Sequence, residues 1–360
     1  MRNFILSLIA PALFVTGCSY NEEVLDRDLH DRITFESSVY KTKASSVNKE
    51  NMQDAAYPGF KVLALQNFNT PMAETTDPSA LQIFMDQLKV KCFDGKWKNE
   101  GTYYWPINPE YKISFFANAP FTTGNNNIVS NIQRDNKSVF FDINIPSSPN
   151  EQKDLLAAAI YDINKKNDPN DNNVNLNFRH ILSRIKFSAY IPEEKTTNFR
   201  ISEVKVSFGK MVAEIDLEPI SSKGRFVYDL DNELNVGSII VDEEAEALNG
   251  TFELAPASES QAIIIQPGDF AIPLHNDDQA LMIMPQKLNG KYIFNIYLTY
   301  QTADAGHEWG EKKNFTFFFK GKDYIAGKSY LYNIDISQLL DIVDVGFGTP
   351  SIDAWPSDIN

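Results

Sequence analysis

The residues most able to carry out chemistry are few, and their spacing matches no catalytic or metal-binding pattern. The chain has four histidines, at positions 30, 180, 275 and 307, and two cysteines. No histidine stands in a zinc-binding spacing such as HExxH or at ligand distance from a cysteine. No serine occupies a nucleophile elbow, and no glycine-rich phosphate loop follows a predicted strand. The sequence therefore predicts no catalytic residue, no metal and no cofactor, and His180 is predicted to be a structural hydrogen-bonding residue.

Carboxylates and aromatic residues leave two further chemistries open. The chain has 48 Asp and Glu residues, but nothing singles out one pair as the acid and base of a glycosidase. Trp97, Trp105 and Trp309 lie near predicted turns, where such residues either stack on sugars or fill cores and brace hairpins. A surface protein that binds glycans or host ligands is therefore the main alternative function, and a glycosidase is a more distant one.

The first eighteen residues are typical of an export signal. Arg2 gives a basic start, positions 4–15 are mostly apolar, and Val15-Thr-Gly-Cys18 ends the run with small residues. The run is too short for a membrane span, which needs about 20 apolar residues. Its ending resembles the lipobox of bacterial lipoproteins, in which a signal peptidase cuts before the cysteine that carries the lipid. We expect a signal peptide at 1–17 and lipid on Cys18, the alternative being an ordinary signal peptide with an incidental cysteine.

The region after Cys18 and the overall charge indicate an exposed, membrane-tethered protein. Residues 18–32 are rich in acidic residues and form a predicted tether, which resembles the acidic tract that directs some lipoproteins to the outer face of the outer membrane. A net charge of −15, without clusters of Lys or Arg, disfavours nucleic acid as a partner. With Cys18 assigned to lipid, Cys92 has no disulfide partner, and its alternation with Leu88 and Val90 predicts a buried apolar position.

The remainder of the chain predicts an all-β fold. Apolar and polar residues alternate with period two in one short segment after another, at roughly ten-residue spacing, which is typical of sandwiches or barrels. The first such segment is 33–40, and Gly101–Trp105 is another. Residues 155–163 favour helix by propensity but are short enough for a buried strand. Short helices are predicted near 79–87 and 337–341, and a loop is predicted over 164–177.

The motifs of this chain, taken in order, resemble those of the fimbrillin family, whose members are lipoprotein-derived (type V) pilus subunits of the Mfa-like branch. The resemblance covers nearly the whole chain and depends on the order and spacing of motifs that are individually weak. These are Cys18, Ile33-Thr-Phe35, Lys41-Thr-Lys-Ala44, Tyr103-Tyr-Trp-Pro106, Ile113-Ser-Phe-Phe-Ala-Asn-Ala-Pro120, Asp154-Leu-Leu-Ala157, Leu176-Asn-Phe-Arg-His-Ile-Leu-Ser-Arg-Ile185, Tyr332-Asn-Ile-Asp-Ile336 and Asp353-Ala-Trp355.

The resemblance implies two tandem transthyretin-like β-sandwich domains, at 33–177 and 178–360, with a linker near 175–181. It also favours strand over helix for 155–163. It further implies a structural subunit of a cell-surface fimbria, positioned as shaft, anchor or accessory (tip) subunit, whose partners are other pilus subunits and a trypsin-like processing protease.

The resemblance also implies how such a subunit would assemble. The protease cuts after the first strand, between Lys43 and Ala44 here, and removes that strand, including Ile33 and Phe35, together with the lipid. A strand from the next subunit then fills the groove. The implied donor is the tail 344–355, whose apolar residues are Val345, Phe347 and Ile352.

One position departs from the family pattern. The processing position is typically Arg in the family, and this chain has Lys43. Cleavage at Arg27 or Arg32 instead would leave the first strand attached. The departure leaves room for an anchor or accessory subunit that keeps its lipid.

Overall fold

Strands account for most of the chain in a computed structural model. The structure describes residues 32–39, 52, 58–121, 128–165, 172–209, 215–230, 236–255, 261–276, 279–288, 290–340 and 351–354. The strands are β1 (Thr34–Val39), β2 (Phe60–Phe68), β3 (Gln82–Phe93), β4 (Lys96–Asn99), β5 (Tyr111–Ala119), β6 (Gln133–Arg134), β7 (Val139–Asn144), β8 (Leu156–Ile163), β9 (Asn173–His180), β10 (Ser183–Tyr190), β11 (Thr197–Phe208), β12 (Lys223–Tyr228), β13 (Gly237–Val241), β14 (Gly250–Ala255), β15 (Ile263–Ile265), β16 (Ile272–Pro273), β17 (Leu281–Ile283), β18 (Tyr292–Asp304), β19 (Lys313–Lys320), β20 (Lys328–Asp335) and β21 (Ser351–Ala354). Short 3₁₀ segments lie at Met72–Glu74, Pro78–Ala80, Pro149–Glu151 and Ile336–Leu339. The predicted all-β fold class, with β-sandwich-like sheets, is confirmed.

A seven-stranded sheet organises the N-terminal half, in the order β1-β9-β8-β5-β2-β3-β4. Successive side chains of a strand point to opposite sides of the sheet. In the central strands of this sheet, both sets of side chains are buried in apolar clusters. In β5, Phe115 belongs to one apolar cluster together with Phe60 and Phe178. The neighbouring residue Phe116 belongs to a second cluster on the other face. The sheet therefore has an inner core, which includes β1, and an outer face that packs against other strands.

The outer face packs against a four-stranded sheet that draws strands from both halves of the chain. Its order is β13-β12-β7-β6. The ring of Phe116 lies 5.1 Å from that of Tyr228 in β12, and Phe141 in β7 stacks on Phe226 at 5.1 Å. The Tyr228 hydroxyl donates to the carbonyl oxygen of Ala117 over 2.9 Å. Since β7 pairs with β12, this sheet joins strands from either side of the predicted boundary at 177/178.

Two five-stranded sheets contain the other strands of the C-terminal half. One contains β10 and β20, which pair in parallel, with β16, β17 and β21 beside them. The other is built on the long β11 and β18. Aromatic rings pack between these strands, with Phe187 of β10 5.3 Å from Phe294 of β18, and Phe294 stacked on Phe319 of β19 at 5.1 Å. The division of the chain into two tandem transthyretin-like domains stays a prediction.

Several local predictions are confirmed and others are wrong. Residues 156–163 of the predicted segment 155–163 form the strand β8, as the resemblance implied, and a single 3₁₀ segment lies near the predicted helix at 337–341. The predicted helix at 79–87 is wrong, because only Pro78–Ala80 is a 3₁₀ segment and β3 begins at Gln82. Residues 101–105 are not a strand, since Tyr104 forms only an isolated bridge with Arg32. The loop predicted over 164–177 and the linker near 175–181 overlap β9, which is paired on both edges.

Candidate functional site: the groove that holds the first strand

The first strand lies at the edge of the seven-stranded sheet and pairs with a segment far away in sequence. β1 runs parallel to β9, in a register that places Phe35 opposite Val174 and Ser37 opposite Leu176. In the described part of the chain, β9 is the only strand with which β1 forms a ladder. The residue before the strand, Ile33, donates its N–H to the carbonyl oxygen of Tyr103 over 2.8 Å.

The inward side chains of β1 are part of the core. Ile33 is 0% exposed and Phe35 is 3% exposed. The Phe35 ring makes edge contacts with Phe60 at 6.2 Å and with Phe115 at 6.0 Å, the arrangement that aromatic quadrupoles favour. Phe60 in turn lies 5.1 Å from Phe178 of β9. β1 therefore fills a groove whose walls are aromatic.

The outward side chains of β1 add a polar ladder. The hydroxyl of Thr34 donates to the side-chain oxygen of Asn173, and that of Ser38 donates to the side-chain oxygen of Asn177. The Asn173 amide also reaches Glu36 at 3.4 Å. These bonds lie at the exposed face of the sheet, so each is expected to contribute little stability.

β4, at the opposite end of the strand order, lies close to the outer edge of β1. Cα atoms of the two strands approach within 8 Å. The described residues form no ladder between these two strands, and a gap of 8 Å or less is narrower than two strand spacings of about 4.8 Å, so no further strand fits between them. A cleft of about 430 Å³ lies here, lined by residues of β1, the β3–β4 turn, β4 and Asn173. β1 is therefore paired on one edge only.

The turn that presents β4 follows from its sequence. Asp94 and Gly95 connect β3 to β4 and have φ angles of 52° and 71°. Positive φ at both central residues is the conformation of a two-residue hairpin, and Asp-Gly is a preferred pair for it. Cys92, just before the turn, is 4% exposed, and burial raises the pKa of its thiol. Its predicted burial beside Leu88 and Val90 is confirmed.

The predicted site residues fall into two groups. Ile33 and Phe35 lie in the groove, as described above. Cys18, Lys43, Ala44, Val345 and Phe347 lie outside the described residues. Ile352 lies in β21, where its backbone is opposite Tyr330 in an antiparallel pairing of this chain's own tail with β20. Lipid attachment, cleavage and donation of the tail therefore stay predictions.

The walls of the groove were not predicted from the sequence, although a signal was present. Asn173, Asn175 and Asn177 alternate with Val174, Leu176 and Phe178, and this period of two predicts a strand. The three asparagines favour a loop by propensity, and the predicted loop over 164–177 depends on that preference. In the structure the apolar residues of this segment face the inner core.

The histidine and the tryptophans that the sequence offered as candidates for chemistry or ligand binding make contacts within the fold. The Nδ1 atom of His180 lies 2.9 Å from an Asp154 carboxylate oxygen in a buried pair, as expected of a structural histidine. Trp105 is 4% exposed, and Trp97 packs on Phe60 at 4.9 Å. The Arg200 guanidinium lies over the Trp309 ring at 5.9 Å. Within the described ranges, no group of three or more His, Cys, Asp and Glu residues could hold a metal ion.

The groove and the sheets define a class of protein: an all-β protein whose first strand completes its own core at a sheet edge. Within the part of the chain that is described, no helix is long and apolar enough to cross a membrane. No curated protein matches the sequence. The sequence profile of the fimbrillin-like family matches residues 42–355, and the chain belongs to that family.

One solved structure shows the same fold, and two others are reported beside it with lower TM-scores. A fimbrial protein from Bacteroides vulgatus, 17% identical, superposes with a TM-score of 0.63 over 91% of this chain and 100% of that chain. A candidate cell adhesion protein from Bacteroides uniformis, 13% identical, gives 0.44 over 92% and 100%. A fimbrial assembly protein from Parabacteroides distasonis, 11% identical, gives 0.35 over 84% and 90%.

Proposed function

We propose that this protein is a non-catalytic structural subunit of a bacterial cell-surface fimbria that assembles by exchange of its first strand. The observation that carries the proposal is the placement of β1, which is buried in the core by Ile33 and Phe35 yet paired at one edge only. Membership of the fimbrillin-like family supports a fimbrial or adhesive role at the cell surface. A strand in this position completes the core of the protein, and because only one of its edges is paired, another strand can replace it.

Removal of β1 would create a site for another strand. The unpaired N–H and C=O groups of β9 would be exposed, together with the rings of Phe60 and Phe115. Both are costly in water, and both are relieved when an extended segment of a second molecule pairs with β9. When each copy gives a strand to the next, the contact is head-to-tail and does not close, so a filament grows. The donor in this proposal is the tail 344–355.

The precursor in this proposal is an outer-membrane lipoprotein. Export depends on the signal at 1–17, lipid on Cys18 holds the chain at the surface, and a trypsin-like protease cuts between Lys43 and Ala44. If the protease accepts only Arg, it does not cut after Lys43, and the chain keeps its first strand. Without a cut at Arg27 or Arg32 it also keeps its lipid and serves as an anchor or accessory subunit. Mass spectrometry of the protein taken from cells would distinguish these forms by their N-terminal residue.

The experiment that tests the proposal is limited trypsin digestion of the purified chain. We expect cleavage after Lys43, loss of the preceding segment and growth of oligomers, measured by mass spectrometry and size-exclusion chromatography. The matched control replaces Lys41, Lys43 and Lys49 with Gln, which removes the tryptic sites between β1 and β2 up to Lys49, and should keep its first strand and stay monomeric. A wild-type product that loses its first strand and remains monomeric would contradict strand exchange.

A further inference from the structure

Ser37 is the weak point of the first strand. The inward row of the first strand consists of Ile33, directly before β1, and of Phe35 and Ser37 within it, and Ile33 and Phe35 are well-packed apolar residues. Ser37 is only 5% exposed, and its hydroxyl has no hydrogen-bond partner among the described residues. Burial of a hydroxyl without a partner opposes folding. The strand therefore has an unfavourable residue in its core-facing row.

The space next to Ser37 is incompletely filled. Ser37 and Trp97 both line the cleft of about 430 Å³ between β1 and β4. The indole Nε1 of Trp97 is also buried and has no hydrogen-bond partner in the described ranges. Atoms that border an unfilled space lose dispersion contacts on that side. A larger side chain at the position of Ser37 would lie beside this cleft.

We propose that Ser37 makes β1 a weak occupant of its groove, and that the strand that replaces β1 carries a branched apolar side chain in this register, opposite Leu176. This inference rests on the strand exchange proposed above and adds what drives it. The incoming strand restores the ladder with β9 and replaces an unpaired hydroxyl with an apolar group. The partner is therefore an extended segment of a second copy, with an inward-facing Val, Ile or Leu where β1 has serine.

A peptide exchange experiment tests the inference. The purified chain is cut after Lys43, and a fluorescent synthetic peptide of residues 32–43 competes with the bound strand. We expect the peptide with Ser37→Val to bind about ten-fold more tightly than the wild-type peptide and to leave about ten-fold more slowly. The matched control is the peptide with Ser38→Val, which makes the same change on the exposed face and should bind no more tightly than wild type.

A second peptide variant separates the effect of the hydroxyl from the effect of added side-chain volume. The peptide with Ser37→Ala removes the hydroxyl without adding volume, so it should also bind more tightly than wild type, by a smaller factor than Ser37→Val. Equal affinity of the wild-type, Ser37→Ala and Ser37→Val peptides overturns the role of Ser37 while strand exchange stands. A cut chain that neither releases its strand nor takes up any peptide overturns the proposed function, and this inference with it.

Discussion

At the scale of single residues, the groove depends on a few large side chains whose positions follow from alternation. Ile33 and Phe35 were predicted to lie on one face of the first strand, and both are buried. Their partners Phe60, Phe115 and Phe178 come from three strands far apart in sequence. Alternation within a segment predicts which residues face inward, but it does not predict which inward residues meet.

Phe35→Ala should destabilise the intact chain substantially. The change removes the ring that contacts Phe60 and Phe115 and leaves a cavity in the core, so we expect the free energy of unfolding to fall by about 3 kcal/mol or more. Chemical denaturation followed by tryptophan fluorescence measures this change. Glu36→Gln, on the exposed face of the same strand, should change stability by less than about 0.5 kcal/mol. Equal effects of the two substitutions would show that β1 is not packed as described.

Asp162 should give a pH dependence of a defined sign. It has a φ angle of 56° at a register shift between β5 and β8, and its carboxylate accepts the N–H of Met72 at 2.9 Å. Burial raises the pKa of Asp162, so the folded state holds this proton at pH values where the unfolded state has lost it. As pH rises above about 3.9, the free energy of unfolding of wild type should therefore fall relative to that of Asp162→Asn.

Asp135 provides the control of opposite sign. Hydrogen bonds from the backbone N–H groups of Lys137 and Ser138 lower the pKa of Asp135. Wild type should therefore gain stability relative to Asp135→Asn as pH rises through the acidic range. Urea denaturation between pH 3 and pH 7 measures both comparisons. The interpretation of Asp162 fails if its substitution gives the same sign as that of Asp135.

At the scale of elements, period-two patterns predicted the existence of most strands, and long-range contacts decided the exceptions. Residues 82–87 were predicted to be helical, but Gln87 adopts a φ of 48° inside β3, and its side chain bonds to both backbone groups of Ile132. The asparagines of β9 favour a loop, which is why the segment is predicted as one. Two of these asparagines accept hydrogen bonds from β1. In both segments the deciding partner lies at least 45 residues away, so no local pattern could reveal it.

The tail after Asp344 should be required for polymer growth and not for folding of the groove. Removal of residues 345–360 deletes β21, which pairs at the edge of β20, and the candidate donor residues with it. We expect the truncated chain to take up the β1 peptide after cleavage but to form no filaments, as seen by electron microscopy. Filaments of normal length from the truncated chain would exclude this tail as the donor.

At the scale of the whole molecule, the two halves of the chain share structure. The sheet formed by β13, β12, β7 and β6 crosses the boundary predicted at 177/178. One apolar cluster extends from Leu63 and Phe141 to Ile336. The sequence carried no indication of this sharing, because a pairing of β7 with β12 leaves no mark in the composition or periodicity of either strand.

Residues 33–177 expressed alone should not form a stable domain. Without β12 and β13, the inward rings of Phe116 and Phe141 lose their contacts with Phe226 and Tyr228. We expect this fragment to aggregate or to lack a cooperative unfolding transition, as measured by size-exclusion chromatography and thermal circular dichroism. The intact chain, measured in parallel, should unfold cooperatively. A soluble fragment with a sharp transition would show that the shared sheet is dispensable.

The position of β1 has a consequence for the route by which it can leave. It stands at one end of the strand order of its sheet and precedes the other described strands along the chain. Its departure would break the ladder with β9 and leave the other six strands of the sheet joined. In the proposed exchange, the barrier to release would therefore come from the hydrogen bonds of the β1–β9 ladder and from the packing of Ile33 and Phe35, and the rest of the sheet would not have to come apart.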